Sequence, residues 1–336
     1  MGLRLRDYIP ALKFGAKIDA RDVAGFAAQP YVGNIFYVDG VNGSDSSGGT
    51  NWDDAFASLY KAHDACTDNN FDMIVVASAG IGSGSGTDES TAVSGGLWTF
   101  SKNLVTVVGA AAPSFVSPRS RILWDTASQS TTTALLTISG SGNSFVNLQL
   151  GTFVDNNMLV TVSGDRNYFA GVHFAGIGDA TAGDDTNARI LYLNDGDENL
   201  FDSCLFGLDT IMRSAANFTV EMAGGVQRNT FSDCMFIQAT DATTPVHIKS
   251  TGASGLDRWN RFHNSVFYNF TTNDTAEPAA VFDLSAQTAT GHVLLTGSQM
   301  IRGIDNWEST ASGRLYIQPY TATANAIGQA INPTVD

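Results

Sequence analysis

Apolar residues recur through the middle third of the chain in one eight-residue phrase, Asn-x-Phe-x-x-x-x-Phe. It runs from Asn167 through Phe169 to Phe174, from Asn199 through Phe201 to Phe206, and from Asn229 through Phe231 to Phe236. A fourth copy joins Asn260, Phe262 and Phe267, and a weaker first copy joins Asn143, Phe145 and Leu150. Successive asparagines lie 24, 32, 30 and 31 residues apart, the period of a solenoid coil. Five residues after each Asn the position is small or apolar: Leu148, Val172, Cys204, Cys234 and Ser265.

Upstream of each Asn a short alternating apolar run ends in a Gly- or Asp-rich break, as at 135–138, 158–162, 190–193 and 218–222. These are strands of period two, bounded by turn formers. Ile138 and Val162 both stand five before their Asn, with Leu136 and Val160 seven before, so each pair shares an inward column. Phe201, Cys204 and Phe206 can all face inward only if the chain bends at Asp202-Ser203. Each coil therefore needs at least two strands and a corner, and stacked coils set parallel strands ~4.8 Å apart. The pattern predicts a structural ladder of Asn143, Asn167, Asn199, Asn229 and Asn260, each amide bonding to the asparagines above and below. Beside it runs a column of Phe169, Phe201, Phe231 and Phe262. The fold class is all-β, a parallel β-helix.

The remaining segments divide around this body. Residues 34–70 read as a cap: a strand at 35–38, a turn-rich loop at 39–49, and a helix over 52–66. That helix carries Trp52, Phe56, Leu59, Tyr60 and His63 on one face, with Thr50 and Asp53 in capping-box spacing. It would cover the open apolar end of the solenoid. Coils are expected across 71–318, interrupted by a Gly/Ser-rich excursion at 79–96, and 319–336 is a polar tail. Residues 1–33 are too apolar for a free tail and too broken for one helix. We read them as an anchoring arm that orders against a partner through Arg4, Arg6, Tyr8, Ile9, Leu12, Phe14, Ile18 and Phe26.

Charge sharpens this division. The chain carries −15 overall, which argues against nucleic-acid binding, since phosphate contacts need Lys and Arg. Residues 1–33 hold five basic against three acidic residues, a balance of +2, leaving −17 on the rest. A basic arm on an acidic body suits an acidic partner. Three cysteines make no disulfide framework; Cys204 and Cys234 share a coil position as small buried hydrophobes. The N-terminus shows no apolar signal region, and no run approaches 18 apolar residues. The expectation is a protein made in a bacterial cytoplasm that does not span a membrane.

The cap carries a specific resemblance. Phe36-Tyr37-Val38-Asp39-Gly40-x-Asn42-Gly43-Ser44-Asp45, then Gly49-Thr50 and Trp52-Asp53-x-Ala55-Phe56-x-Ser58-Leu59, resembles the opening of right-handed parallel β-helix proteins of the pectin-lyase-like superfamily. That superfamily includes polysaccharide lyases and hydrolases, adhesins and phage virion proteins. The stretch from Leu5 to Gly15 is similar to the start of phage structural proteins. The resemblance implies a virion protein, a capsid decoration, cement or head-fibre protein held by its arm and assembled as a homotrimer against other virion proteins. The alternative it implies is a tailspike that binds or depolymerises host glycan.

Chemistry is sparse in the sequence. Carboxylates at a shared corner after the Phe could pair, and Asp202, Ser232 with Asp233, and His263 with Asn264 are the candidates there. The blander reading is that these residues form turns. Two acidic loops, Asp195-Asp197-Glu198 and Asp179-Asp184-Asp185, lack EF-hand spacing and read as solvated charge. No Arg or Lys stands near in the coil pattern to act as a lyase base, and His173 faces outward alone. No motif of metal, nucleotide or serine chemistry occurs. The expectation is a non-enzymatic scaffold without cofactor or metal.

Overall fold

A computed structural model describes residues 33–77, 87–89, 96–124, 133–272, 276–301, 304–310 and 312–318. The anchoring arm and the polar tail lie outside the described residues. Within them the chain winds through three parallel sheets. Each coil passes from sheet C through an asparagine corner to sheet A, bends at once into sheet B, and returns to sheet C by a longer connection. The coil around Asn199 shows it: Arg189–Asn194 lies in sheet C, Leu200–Asp202 in sheet A and Leu205–Phe206 in sheet B. This is a right-handed parallel β-helix.

The inward columns follow the period-two reading. Leu136 pairs with Val160 and Ile138 with Val162 in sheet C. In sheet A, Phe145, Phe169, Phe201, Phe231 and Phe262 are in register and fully buried. Consecutive rings stack at 5.1, 4.7, 4.6 and 4.6 Å, within 8° of parallel. A second column, Phe174, Phe206, Phe236 and Phe267, stacks at 4.8 Å along sheet B. The two meet edge-on inside each coil, as Phe201 and Phe206 do at 5.8 Å. These are the offset and T-shaped geometries that ring quadrupoles favour.

Each corner has its own ladder. The Oδ1 of Asn167, Asn199, Asn229 and Asn260 accepts the backbone N–H of the Asn in the coil before, at 2.8–3.2 Å. Asn143 accepts from Val105 N–H at 2.8 Å. The link is thus from side chain to backbone, joined at one step by a side-chain bond in which Asn229 Nδ2 donates to Asn260 Oδ1 at 3.1 Å. A second ladder runs the other way, two residues before the Asn in these coils: Ser141 accepts from Asp165 N–H, Asp165 from Asp197 N–H, and Asp197 from Gln227 N–H, at 2.9–3.0 Å. Past sheet A, Asn147, Ser203, Asp233 and Asn264 all take positive φ, between 48° and 55°. A bend of so few residues requires that left-handed turn, and short polar side chains tolerate it best.

The cap differs from the single helix read over 52–66. A 3-10 turn, Trp52–Asp54, is followed by extended backbone and then the α-helix Leu59–Ala65. The break arises because Phe56 pairs its backbone with the first strand: its N–H donates to Tyr37 O and its carbonyl accepts from Asp39 N–H. Asp45 holds the break by accepting from Ala57 N–H, Ser58 N–H and Ser58 Oγ. Asn51 caps the 3-10 turn and Ser58 the helix, so the Thr50–Asp53 capping box does not form. Trp52 consequently lies outside the core, half exposed against Tyr37. Leu59 and Ala62 do close over the first coil.

Three buried histidines, His63, His173 and His247, give the fold a pH dependence, and burial also holds the His247 pKa well below its usual value. His63 Nε2 accepts from Ser101 N–H at 3.1 Å and Lys102 N–H at 3.3 Å. His173, expected to face outward alone, does stand on the outer side of sheet B, but it is 1 % exposed. Its Nδ1 accepts from Ser117 N–H at 3.2 Å and its Nε2 donates to the Gly207 carbonyl at 2.9 Å. Burial holds the His63 and His173 pKa values down to about 4, against 6.5 for free histidine. Between these values the unfolded chain binds protons that the folded chain does not. Stability is therefore lost as pH falls through that window. Melting temperature should drop between about pH 7 and about pH 4, and His173→Gln should flatten part of the drop. A variant with an unchanged pH profile would contradict this account.

Candidate functional site

Sheet A brings the sequence-derived candidates into register without making a catalytic group of them. Asp202, Ser232 and His263 form one outward column in adjoining coils. Ser232 Oγ, however, donates to Asp233 Oδ2 at 2.7 Å, and His263 Nδ1 sits 2.9 Å from Thr296 Oγ1. Asp202 accepts from Tyr168 Oη at 3.2 Å. Ser232 and His263 thus bond to other partners, and the column itself offers a single carboxylate. Asn264 Nδ2 donates to Asp233 Oδ1 across the adjoining left-handed corner.

The acidic loops are structural as well. Asp197 accepts from Gln227 through both carboxylate oxygens, and Glu198 lies between Arg166 at 2.8 Å and Arg228 at 2.9 Å. This loop is an ion-paired rung rather than solvated charge. Asp179 caps the short helix Ala180–Gly183, and Asp184 accepts from Ser214 Oγ. Among the described residues no cluster of three metal-ligating side chains occurs. Cys204 and Cys234 are free, buried thiols, each 3.4 Å from the Phe carbonyl of the preceding coil.

Concentrated charge lies instead on the outer face of sheet C. Register aligns Thr137, Thr161, Tyr192, Glu221, Lys249 and Asp283 in one outward column. Arg189 reaches across it: Nε lies 2.8 Å from Glu221 Oε2, and the guanidinium covers the Tyr192 ring at 4.7 Å. Glu221 Oε1 also accepts from Thr251 Oγ1 at 2.6 Å. Lys249 Nζ stands 4.5 Å over the Phe218 ring and 3.8 Å from Asp283. Burial, and next the Glu221 carboxylate, push the Tyr192 phenol up from its usual pKa.

The face thus alternates aromatic, anionic and cationic groups along the solenoid axis. Its two carboxylates, Glu221 and Asp283, are separated by two inter-strand spacings, roughly 10 Å. The sequence reading missed this column and placed no Arg or Lys near a carboxylate. Arg189 and Lys249 correct it. The missed signal was polar residues inside otherwise apolar strands. Tyr192 stands seven before its Asn, Glu221 eight and Lys249 eleven. Counting from the asparagines therefore does not align them, because the corner between sheets C and A varies in length.

No protein-family model matches the chain, and no curated relative matches it by sequence. Among solved structures, a pectin methylesterase in complex with a hexasaccharide aligns with a TM-score of 0.53 at 15 % identity, covering 89 % of this chain and 92 % of its own. The pectin methylesterase PemA from Erwinia chrysanthemi aligns at 0.52 and 16 % identity, covering 90 % and 93 %. Pectate lyase Pel9A aligns at 0.57 and 15 %, covering 85 % of this chain and 68 % of its own. Such similarity establishes the fold. It also corrects the expectation of a non-enzymatic scaffold, because these three solved chains, which share the architecture over 85–90 % of this chain, are enzymes.

Proposed function

We propose that the chain is a glycan-recognising β-helix protein whose contact surface is the outer face of sheet C. The observation that carries this is the Tyr192–Arg189–Glu221–Lys249–Asp283 run. It offers the Tyr192 ring to a sugar, and the partly exposed Lys249 and Asp283 as donor and acceptor for hydroxyls, in a line that an extended chain could follow. Glu221 lies buried beneath, held by Arg189 and Thr251. The related fold of a pectin methylesterase solved with a hexasaccharide supports the same reading. The N-terminal resemblance supports placing the protein on a tailed-phage virion as a trimeric receptor-binding protein.

A second reading, capsid decoration through residues 1–33, is favoured by the basic arm joined to an acidic body. One experiment separates the two. The full chain is tested on a panel of bacterial surface polysaccharides and on phage capsids, with reducing ends assayed for cleavage and oligomeric state read by light scattering. Tyr192→Ala and Lys249→Ala should each weaken glycan binding about tenfold, or ~1.4 kcal/mol. Capsid binding through residues 1–33, with no glycan bound, would replace the first reading with the second. New reducing ends would make the protein a depolymerase.

A further inference from the structure

Inside the corner between sheets B and C one cation lies without a counter-charge. Arg213 is 3 % exposed and turns into the solenoid from the connection that follows Phe206. Its Nε donates to Asn217 Oδ1 at 2.6 Å and its Nη1 to Thr219 Oγ1 at 3.1 Å, while Nη2 has no partner. Among the described residues no carboxylate pairs with it. Burial lowers its pKa to about 9, which leaves it charged at neutral pH.

The surroundings are polar and incompletely paired. Arg213 N–H donates to the Ala239 carbonyl at 2.8 Å, and Thr240 Oγ1 donates to the Arg213 carbonyl. This seats Arg213 one coil before the strand Met235–Ala239. Gln238 on that strand is fully buried with both amide atoms unpaired. Its register partner Asn269 donates to the Thr240 carbonyl at 3.0 Å and leaves Oδ1 unpaired. Thr219 Oγ1 accepts from Arg213, so its hydroxyl donates to His247 Nδ1 at 3.3 Å. That assignment puts the His247 proton on Nε2, so the imidazole adds no acceptor toward the guanidinium.

A buried guanidinium is tolerated when a negative charge offsets its lost hydration, and two neutral oxygens do not do so. We propose that this corner is a buried binding site for a small monovalent anion of halide size, held between Arg213 Nη2 and Gln238 Nε2. Water would satisfy the donors and leave the charge. An anion meets both needs. Gln238 then turns Nε2 to the anion, and the column of coils closes around a neutral centre.

The test uses the full chain. Crystals soaked in bromide should show anomalous density in contact with Arg213 Nη2. Melting temperature should rise with the logarithm of chloride or bromide concentration at constant ionic strength, against gluconate, as linkage requires. Arg213→Met should remove both effects. Should that variant fail to fold, Gln238→Leu keeps the cation and loses one donor. It should need about tenfold more halide for the same rise. Density for water alone, or a halide response unchanged in Arg213→Met or Gln238→Leu, overturns the proposal.

Discussion

Phe201→Ala is expected to destabilise the solenoid by about 3–5 kcal/mol, the range for deleting a buried aromatic side chain. Phe201 is fully buried and stacks on Phe169 at 4.7 Å and Phe231 at 4.6 Å. It also meets Phe174 at 6.1 Å and Phe206 at 5.8 Å. Its neighbours in the column are held in their own strands by the parallel ladder, so they cannot close the cavity by moving together. Each coil contacts only the coils on either side, and a gap at Phe201 weakens both of its interfaces. Urea unfolding followed by circular dichroism should give a lower midpoint, and Phe201→Leu a smaller loss. A change below about 1 kcal/mol would show that the column does not hold the coils together.

The corner ladder gives the second large effect. Asn199 Oδ1 accepts from Asn167 N–H at 2.8 Å, and Asn199 N–H donates to Asn229 Oδ1 at 2.8 Å. Asn199→Ala leaves the Asn167 N–H buried without its acceptor, at about 1–3 kcal/mol. The loss should be local as well as global. Amide hydrogen exchange at Asn167 should accelerate more than exchange at Asn229, whose own acceptor, Asn260, is untouched. Equal acceleration at both positions would mean that the ladder contributes only through overall stability.

These two predictions rest on residues that are visible in the sequence. Phe and Asn recur at fixed offsets because every coil must place the same side chain at the same point of the same corner. The candidate site was less legible. Tyr192, Glu221 and Lys249 come from strands that precede corners of different length, so register and not sequence offset aligns them. Arg189 joins the group only because its side chain spans from its own coil to Glu221 in the next. A catalytic or binding set built in this way leaves no local motif, since its members lie about 30 residues apart in the chain. The missing motif was thus no ground for expecting a scaffold without chemistry.

The cap shows the same division on a smaller scale. Helix-forming periodicity over 52–66 was real, but the backbone groups of Phe56 found partners on the first strand, and tertiary pairing overrode local propensity. His173 is a further case. Alternation put it on the outer side of its strand, while its burial comes from a segment some 56 residues earlier in the chain. The sequence by itself determined the period, the inward columns and the asparagine corners, because repetition imposes identical local constraints on every coil. Only the tertiary structure decided which outward residues become neighbours, since that depends on the lengths of the connections and on what folds across each face.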